Sequence, residues 1–272
     1  MSWRAVARKD VRDAGRSRTV WLLFGVLSVL FVGFAVVHVR FGEPAFTAFL
    51  ARLAGLLGST LPVLAILLGY RSISDDRVDG QLQLTLSFPT SRRDLVVGTV
   101  VGRSLVLLVP TLVALVAAGA TGVYLYGADG ALLYPWFLFA TALYGAAFVG
   151  VAVGLSLSTT RDRRITYGAL GGYLLLVQLW NNLLSLLVVV LHRFEGGVLA
   201  NPPDWVLLAR LAKPSESYYR LVRTGFDVGL GEAYVGGGVP VFVAWPAALL
   251  LLGGWLTVPL ALGYRRFVVG DL

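Results

Sequence analysis

The chain has 272 residues, of which 57% are hydrophobic and only 14% charged, with a formal net charge of +8 and no cysteine. A soluble protein of this size carries about a quarter charged residues, and several apolar runs here reach the ~18–20 residues that a bilayer-crossing helix needs. The composition points to an integral membrane protein. It excludes disulfides, thiolate metal sites and iron–sulfur clusters, and the arginine excess reads as topology and contact with anionic lipid headgroups rather than with nucleic acid.

In chain order, residues 2–15 come first. Trp3, Val6, Ala7, Val11 and Ala14 recur at helical spacing, and Arg4, Arg8 and Arg12 share another face. This is the pattern of a basic amphipathic helix suited to a membrane surface. The polar lead-in is long and no small-x-small site follows the apolar run, so no cleaved signal peptide is expected. Six spans follow, at about 20–39, 46–70, 104–126, 132–158, 165–191 and 241–264, in a single transmembrane domain covering 1–272. Pro62 is expected to kink the second span. Ala146, Gly150, Gly154 and Ser158 form a small-residue ridge on the fourth, where another helix can come close.

Six spans put both termini on one side. The arginines at 4, 8, 12, 16, 18, 71, 77, 92, 93, 103, 161, 163, 164, 265 and 266, with Lys9, fall on that side, which the positive-inside rule makes cytoplasmic. The long 192–240 segment is then external, with a plasma membrane as the expected location.

The longest polar interruption on the arginine-rich side is 71–103. It reads either as a solvated loop or as a docking element for a soluble partner. Ser91 and Asp94 form S-x-x-D, a helix start. Ahead of Pro89, Leu82, Leu84, Leu86 and Phe88 alternate with polar residues, as in a strand. An isolated strand is unstable, so a short helix capped by Ser74 or Asp75 is the expected form.

Chemistry-bearing motifs do not emerge. Lys9 and Lys213 are the only lysines, and neither sits in a phosphate-cradling GxxxxGK[ST]. His38 and His192 are far apart, and no Asp or Glu lies inside an expected span. A self-contained carrier driven by protons or sodium commonly uses such a carboxylate. That weakens the carrier alternative; a structural or assembly membrane protein is the other, and an enzyme the weakest.

RKDVRDAGRSRTVW at the start and DDRVDGQLQLTLSFPTSRRDLVVGTVVGR in the polar stretch together resemble the type-2 ABC exporter permeases. Their lead-in reads KE-x-x-x-x-x-R-S/T-R/K, and their first polar loop E-R-x-x-G-T-L-x-x-L-L-x-x-P-x-S-R-x-x-x-x-G-K. Arg77, Gly80, Leu82, Ser87, Pro89, Ser91, Arg92 and Gly98 match the loop pattern, while Asp76, Gln81 and Thr99 depart from it. The resemblance implies an all-α permease half that performs no chemistry itself and needs no cofactor. It implies pairing with a second permease, as a homo- or heterodimer, and with a separate ATP-hydrolysing subunit. A cytoplasmic coupling helix would carry Asp76, Arg77, Val78, Gly80, Leu82, Leu86 and Phe88. Short external re-entrant helices would fall at 205–211 and 218–222.

On the fifth span, Gly168, Gly171, Leu175, Gln178, Asn182 and Ser185 recur at steps of three and four, with Asn181 beside them. Amides at that depth are costly unless they face protein or water. The stripe therefore reads as interhelical glue, as pathway lining, or as both at a dimer axis.

Overall fold

The computed structural model describes residues 2–41, 45–69, 72, 91–158, 162–194, 197, 199, 202–226 and 240–269. Ten α-helices carry these residues, with no strand among them. Helix α1 is Trp3–Arg16, α2 Arg18–Phe41, α3 Phe46–Gly69, α4 Arg92–Tyr126 and α5 Tyr134–Ser158. The fifth span is built from α6 (Asp162–Tyr173), a π-helical turn (Leu174–Leu179) and α7 (Trp180–Leu191). Two shorter helices, α8 (Asp204–Leu211) and α9 (Pro214–Gly225), precede the last, α10 (Trp245–Val269). Six of the helical segments are long and apolar enough to cross a bilayer. The chain is an all-α, multi-pass membrane protein.

Helix α5 is the most enclosed span, with α3, α4, α9 and α10 around it. Its small-residue ridge does what its spacing suggests. A methyl group at Gly150 would stand 2.5 Å from the Leu256 carbonyl oxygen, and one at Gly154 2.5 Å from that of Pro259. The backbones of α5 and α10 therefore touch, which only glycine allows. Helix α3 buries Phe49, Leu50, Leu53, Ala54, Leu57 and Ala65 completely. Pro62 lies within it and has no N–H, so the carbonyl of Gly58 loses its helical donor. The Tyr144 hydroxyl on α5 supplies the missing bond at 2.6 Å. Inside a bilayer that carbonyl would otherwise go unsatisfied.

Helix α4 has 35 residues, about 52 Å at 1.5 Å per residue, against ~30 Å of hydrocarbon. Its first turns therefore extend beyond the apolar layer, at what we call the basic end. Helix α1 packs along that extension rather than standing apart from the protein. Trp3 lies beside Asp94, Val6 beside Gly98 and Asp10 beside Gly102, so α1 and α4 run side by side in the same direction. Val6 meets α4 and Ala7 is buried, whereas Trp3 and Val11 stay exposed, as do Arg4, Arg8 and Arg12.

Candidate functional site: a buried helical hairpin and a junction at the basic end

Helices α8 and α9 form a hairpin packed among α5, α7 and α10. Pro214 at the first helical position and Glu216 in the first turn start α9 where the chain has just turned. The turn lies beside Trp255, near the middle of α10, so it is far from either end of the bundle. A turn at that depth needs every backbone oxygen accounted for, and it has that. The Leu208 carbonyl accepts from the Ala212 N–H at 2.9 Å and that of Arg210 from the Lys213 N–H at 3.0 Å. Ala209 accepts from the Trp180 indole at 2.9 Å, Leu211 from the Ser217 hydroxyl at 2.6 Å, and Ala212 from the Trp255 indole at 2.8 Å. A third indole, Trp136, donates to the Leu221 carbonyl at 2.7 Å.

The hairpin's apolar anchor is Tyr218. It is wholly buried, stacks on Tyr144 with ring centroids 4.7 Å apart, and its hydroxyl lies 3.1 Å from that of Thr141. Beside the turn sits a polar cluster. The Asn181 side chain on α7 donates to Glu216 at 3.0 Å, and Lys213 is buried close by. Burial pushes the Lys213 amine below its ordinary value, and the Glu216 carboxylate works against that shift. The Asn181 side-chain carbonyl and the Ser215 hydroxyl are buried with no hydrogen-bond partner among the described residues. Reading spans alone misses Lys213 and Glu216, because they enter the bundle on the hairpin and not on a span. The signal that could have found them is local: Lys-Pro-Ser-Glu is a helix start within a segment otherwise too apolar for an external loop.

The fifth-span residues divide. Gly168, Gly171, Gln178 and Asn182 are exposed and Ser185 half-exposed, whereas Asn181 turns to the hairpin. Gly168 also lies against Leu155 of α5, where a methyl group would come within 2.9 Å of that side chain, while Gly171 has open space around it. The π-helical turn between them and Asn182 interrupts the 3.6-residue repeat on which a single stripe depends. Gln178 and Asn182 nonetheless leave two amides on a face that none of the described residues covers. Among the described residues the Gln178 side chain reaches only the Tyr173 hydroxyl, at 3.4 Å.

Asp76, Arg77, Val78, Gly80, Leu82, Leu86 and Phe88 lie outside the described residues. The helix that follows them is described, and it is tied down on three sides. Ser91 caps α4, accepting from the Asp94 N–H at 3.0 Å and donating to its carboxylate at 2.6 Å. The same carboxylate accepts from the Trp3 N–H at 3.3 Å, which caps α1. Arg92 donates to the Phe267 and Val268 carbonyls at 3.0 and 3.2 Å and lies over the Phe267 ring. It thereby closes the C-terminal end of α10. Asp10 and Arg103 approach to 3.5 Å about two turns further along.

Residues 4–272 match the family model described as "ABC-2 family transporter protein". The chain belongs to the ABC-2 transporter family. A "Probable ABC transporter permease protein NosY" of Stutzerimonas stutzeri is 31% identical over 278 aligned positions, covering 96% of each chain. The protein of the same name from Pseudomonas aeruginosa is 30% identical over 276, again covering 96% of each. The chain is thus an ABC-2 permease subunit, and membership in the family implies association with an ATPase subunit. The resemblance read from the lead-in and the 71–103 stretch holds, and the self-contained carrier gives way to it.

Proposed function

We infer that this permease is half of an exporter in the plasma membrane, with both termini cytoplasmic and the hairpin on the external side. It performs no chemistry itself. A separate ATPase docks at Asp76, Arg77, Val78, Gly80, Leu82, Leu86 and Phe88, and a second permease covers the exposed amides of the fifth span. Bilayer lipid surrounds the rest, and domain 1–272 acts as one unit. The observation that carries this reading is the hairpin. It occupies the bundle from the end opposite the arginines, reaches mid-depth, and is tied to the fifth span by the Asn181–Glu216 hydrogen bond. In that position it acts as an external closure. The junction at Ser91, Arg92 and Asp94 supports the other half of the reading, because a push on the docking segment reaches α1, α4 and α10 together.

The test is Leu86→Asp. Interface anchors are commonly worth about 2 kcal/mol or more, so a charge there releases the ATPase or uncouples hydrolysis from transport while the protein still inserts. Co-purification with the ATPase and ATPase activity in lipid report the outcome. Full association with full transport would make 71–90 a solvated loop.

A further inference from the structure

Helices α1, α2 and α4 meet around a second feature that the transport reading leaves unused. At Ser17 the backbone is extended, so the chain turns a corner between α1 and α2. The Trp21 indole bonds back across that corner to the Gly15 carbonyl at 2.9 Å. Because the two helices diverge there, they leave a laterally open groove of about 460 Å³ against α4. Val11, Gly15, Trp21, Phe24, Val109 and Val113 are among its walls, and every lining residue is apolar or glycine. That volume falls within the ~300–1,000 Å³ of ordinary ligand sites.

The groove's charge sits at the corner itself, between its α1 wall (Val11, Gly15) and its α2 wall (Trp21, Phe24). On α4 the groove begins at Leu105, two residues after Arg103, and ends at Val113, about 12 Å further along the helix. The chain that turns the corner carries Arg12, Arg16 and Arg18, all exposed, and none is ion-paired among the described residues. The acidic groups on α1 are Asp10, which is engaged with Arg103, and Asp13. The corner is therefore net positive, and the groove walls on either side of it are purely apolar. A protein helix seated here would present side chains to a wall with no polar group to orient it. A lipid, with an anionic head and an apolar tail, matches both parts.

We propose that this groove holds an acyl chain of one anionic phospholipid, with its phosphate held by Arg16 and Arg18. The site lies between α1, α2 and α4, away from the hairpin and the amide face, and does not depend on the direction of transport. Two arginines near a headgroup add roughly 30-fold to retention of an anionic over a zwitterionic lipid.

The experiment uses the full chain with its ATPase, purified in detergent and exchanged against phosphatidylglycerol or phosphatidylcholine of identical chains. Retained lipid is counted by native mass spectrometry. The wild type keeps one phosphatidylglycerol per chain in preference to phosphatidylcholine. Arg16→Gln with Arg18→Gln loses that preference by tenfold or more, while Arg265→Gln with Arg266→Gln, equally basic but away from the groove, keeps it. Val109→Trp fills the groove and lowers retention of both lipids, and Val113→Phe serves if that variant fails to accumulate. Val258→Trp, on the exposed face of α10, changes neither. Equal retention of the two lipids by the wild type, or an equal loss in both arginine pairs, overturns the site. So does a photo-crosslinker at Val109 that captures a second permease or the ATPase instead of lipid.

Discussion

Two short-helix attachments in this molecule perform similar work with different chemistry. At the basic end, α1 is held to α4 by charged and small groups: the Asp94 cap on Trp3, the Asp10–Arg103 approach, and Gly98 and Gly102, which let α1 come close. In the bundle, α8 and α9 are held by indole N–H groups, a tyrosine stack and a complete set of backbone acceptors. The difference follows from the surroundings. Water reaches the basic end, so backbone groups there need no protein partner and ion pairs are screened. No water competes at mid-bilayer depth, so a turn is tolerated only where its backbone groups are satisfied internally. The comparison implies that damage to the hairpin is costly and damage to the junction is mild.

The largest effect should come from Tyr218→Ala. It removes a wholly buried ring and its stack on Tyr144, costing about 3–5 kcal/mol and lowering Tm by roughly 10 °C, as read by tryptophan fluorescence. Tyr218→Phe keeps the ring and loses only the contact with Thr141, about 1 kcal/mol. If the two variants are equally damaged, the hydroxyl and not the stack anchors the hairpin.

Next comes Glu216→Leu, which strips Asn181 of its acceptor and leaves Lys213 without the neighbouring carboxylate. A hydrogen bond to a charged group contributes about 1.5–3 kcal/mol, and the loss should fall in that range. Adding Lys213→Met should recover part of it, because the uncompensated buried charge is then gone. No recovery would mean that Lys213 reaches water and needs no counter-charge.

How much of this was legible in the sequence depended on distance along the chain. The capping box at Ser91 and Asp94 acts over three residues, and its pattern alone locates the start of α4. The Gly150–Gly154 ridge was legible as a close-packing surface, although not which helix it receives. The number of spans and the all-α character follow from run length and composition. What the sequence could not disclose are pairings across long separations. Gly98 and Gly102 look like an ordinary small-residue repeat until α1 arrives from 92 residues earlier. Asp94 has a second task, capping α1, that no local pattern records. The fifth-span stripe assumed an unbroken 3.6-residue helix, and one π-helical turn separates its glycine half from its amide half. Lys213 and Glu216 were hidden because they enter the bundle between spans, on a segment that reads as an external loop.

Gly98→Leu probes the milder attachment. A methyl group there would already come within 2.5 Å of the Val6 side chain and 2.7 Å of the Trp3 carbonyl. Overpacking of this kind costs about 1–3 kcal/mol. Here α1 can swing away, so the cost should sit at the lower end. Limited proteolysis should show α1 cleaved faster, with α9 as protected as in the wild type. Loss of protection in both would mean that α1 and the hairpin are not separate attachments.

The smallest effect belongs to Asp10 and Arg103. Their closest atoms are 3.5 Å apart, and both side chains keep a share of solvent, 20% and 32%. Partly exposed pairs of this geometry give about 0.2–1 kcal/mol in double-mutant cycles. Asp10→Asn, Arg103→Gln and the double variant should therefore show a coupling within that range. Raising salt toward ~1 M, where the screening length falls to about 3 Å, should remove most of it. The sign matters as much as the size. Asp10 also packs where Gly102 has no side chain, so Asp10→Asn keeps the shape and tests charge alone. A coupling above about 2 kcal/mol would exceed what a solvated pair delivers. The junction would then be sheltered from water, and the contrast between the two attachments would lose its physical basis.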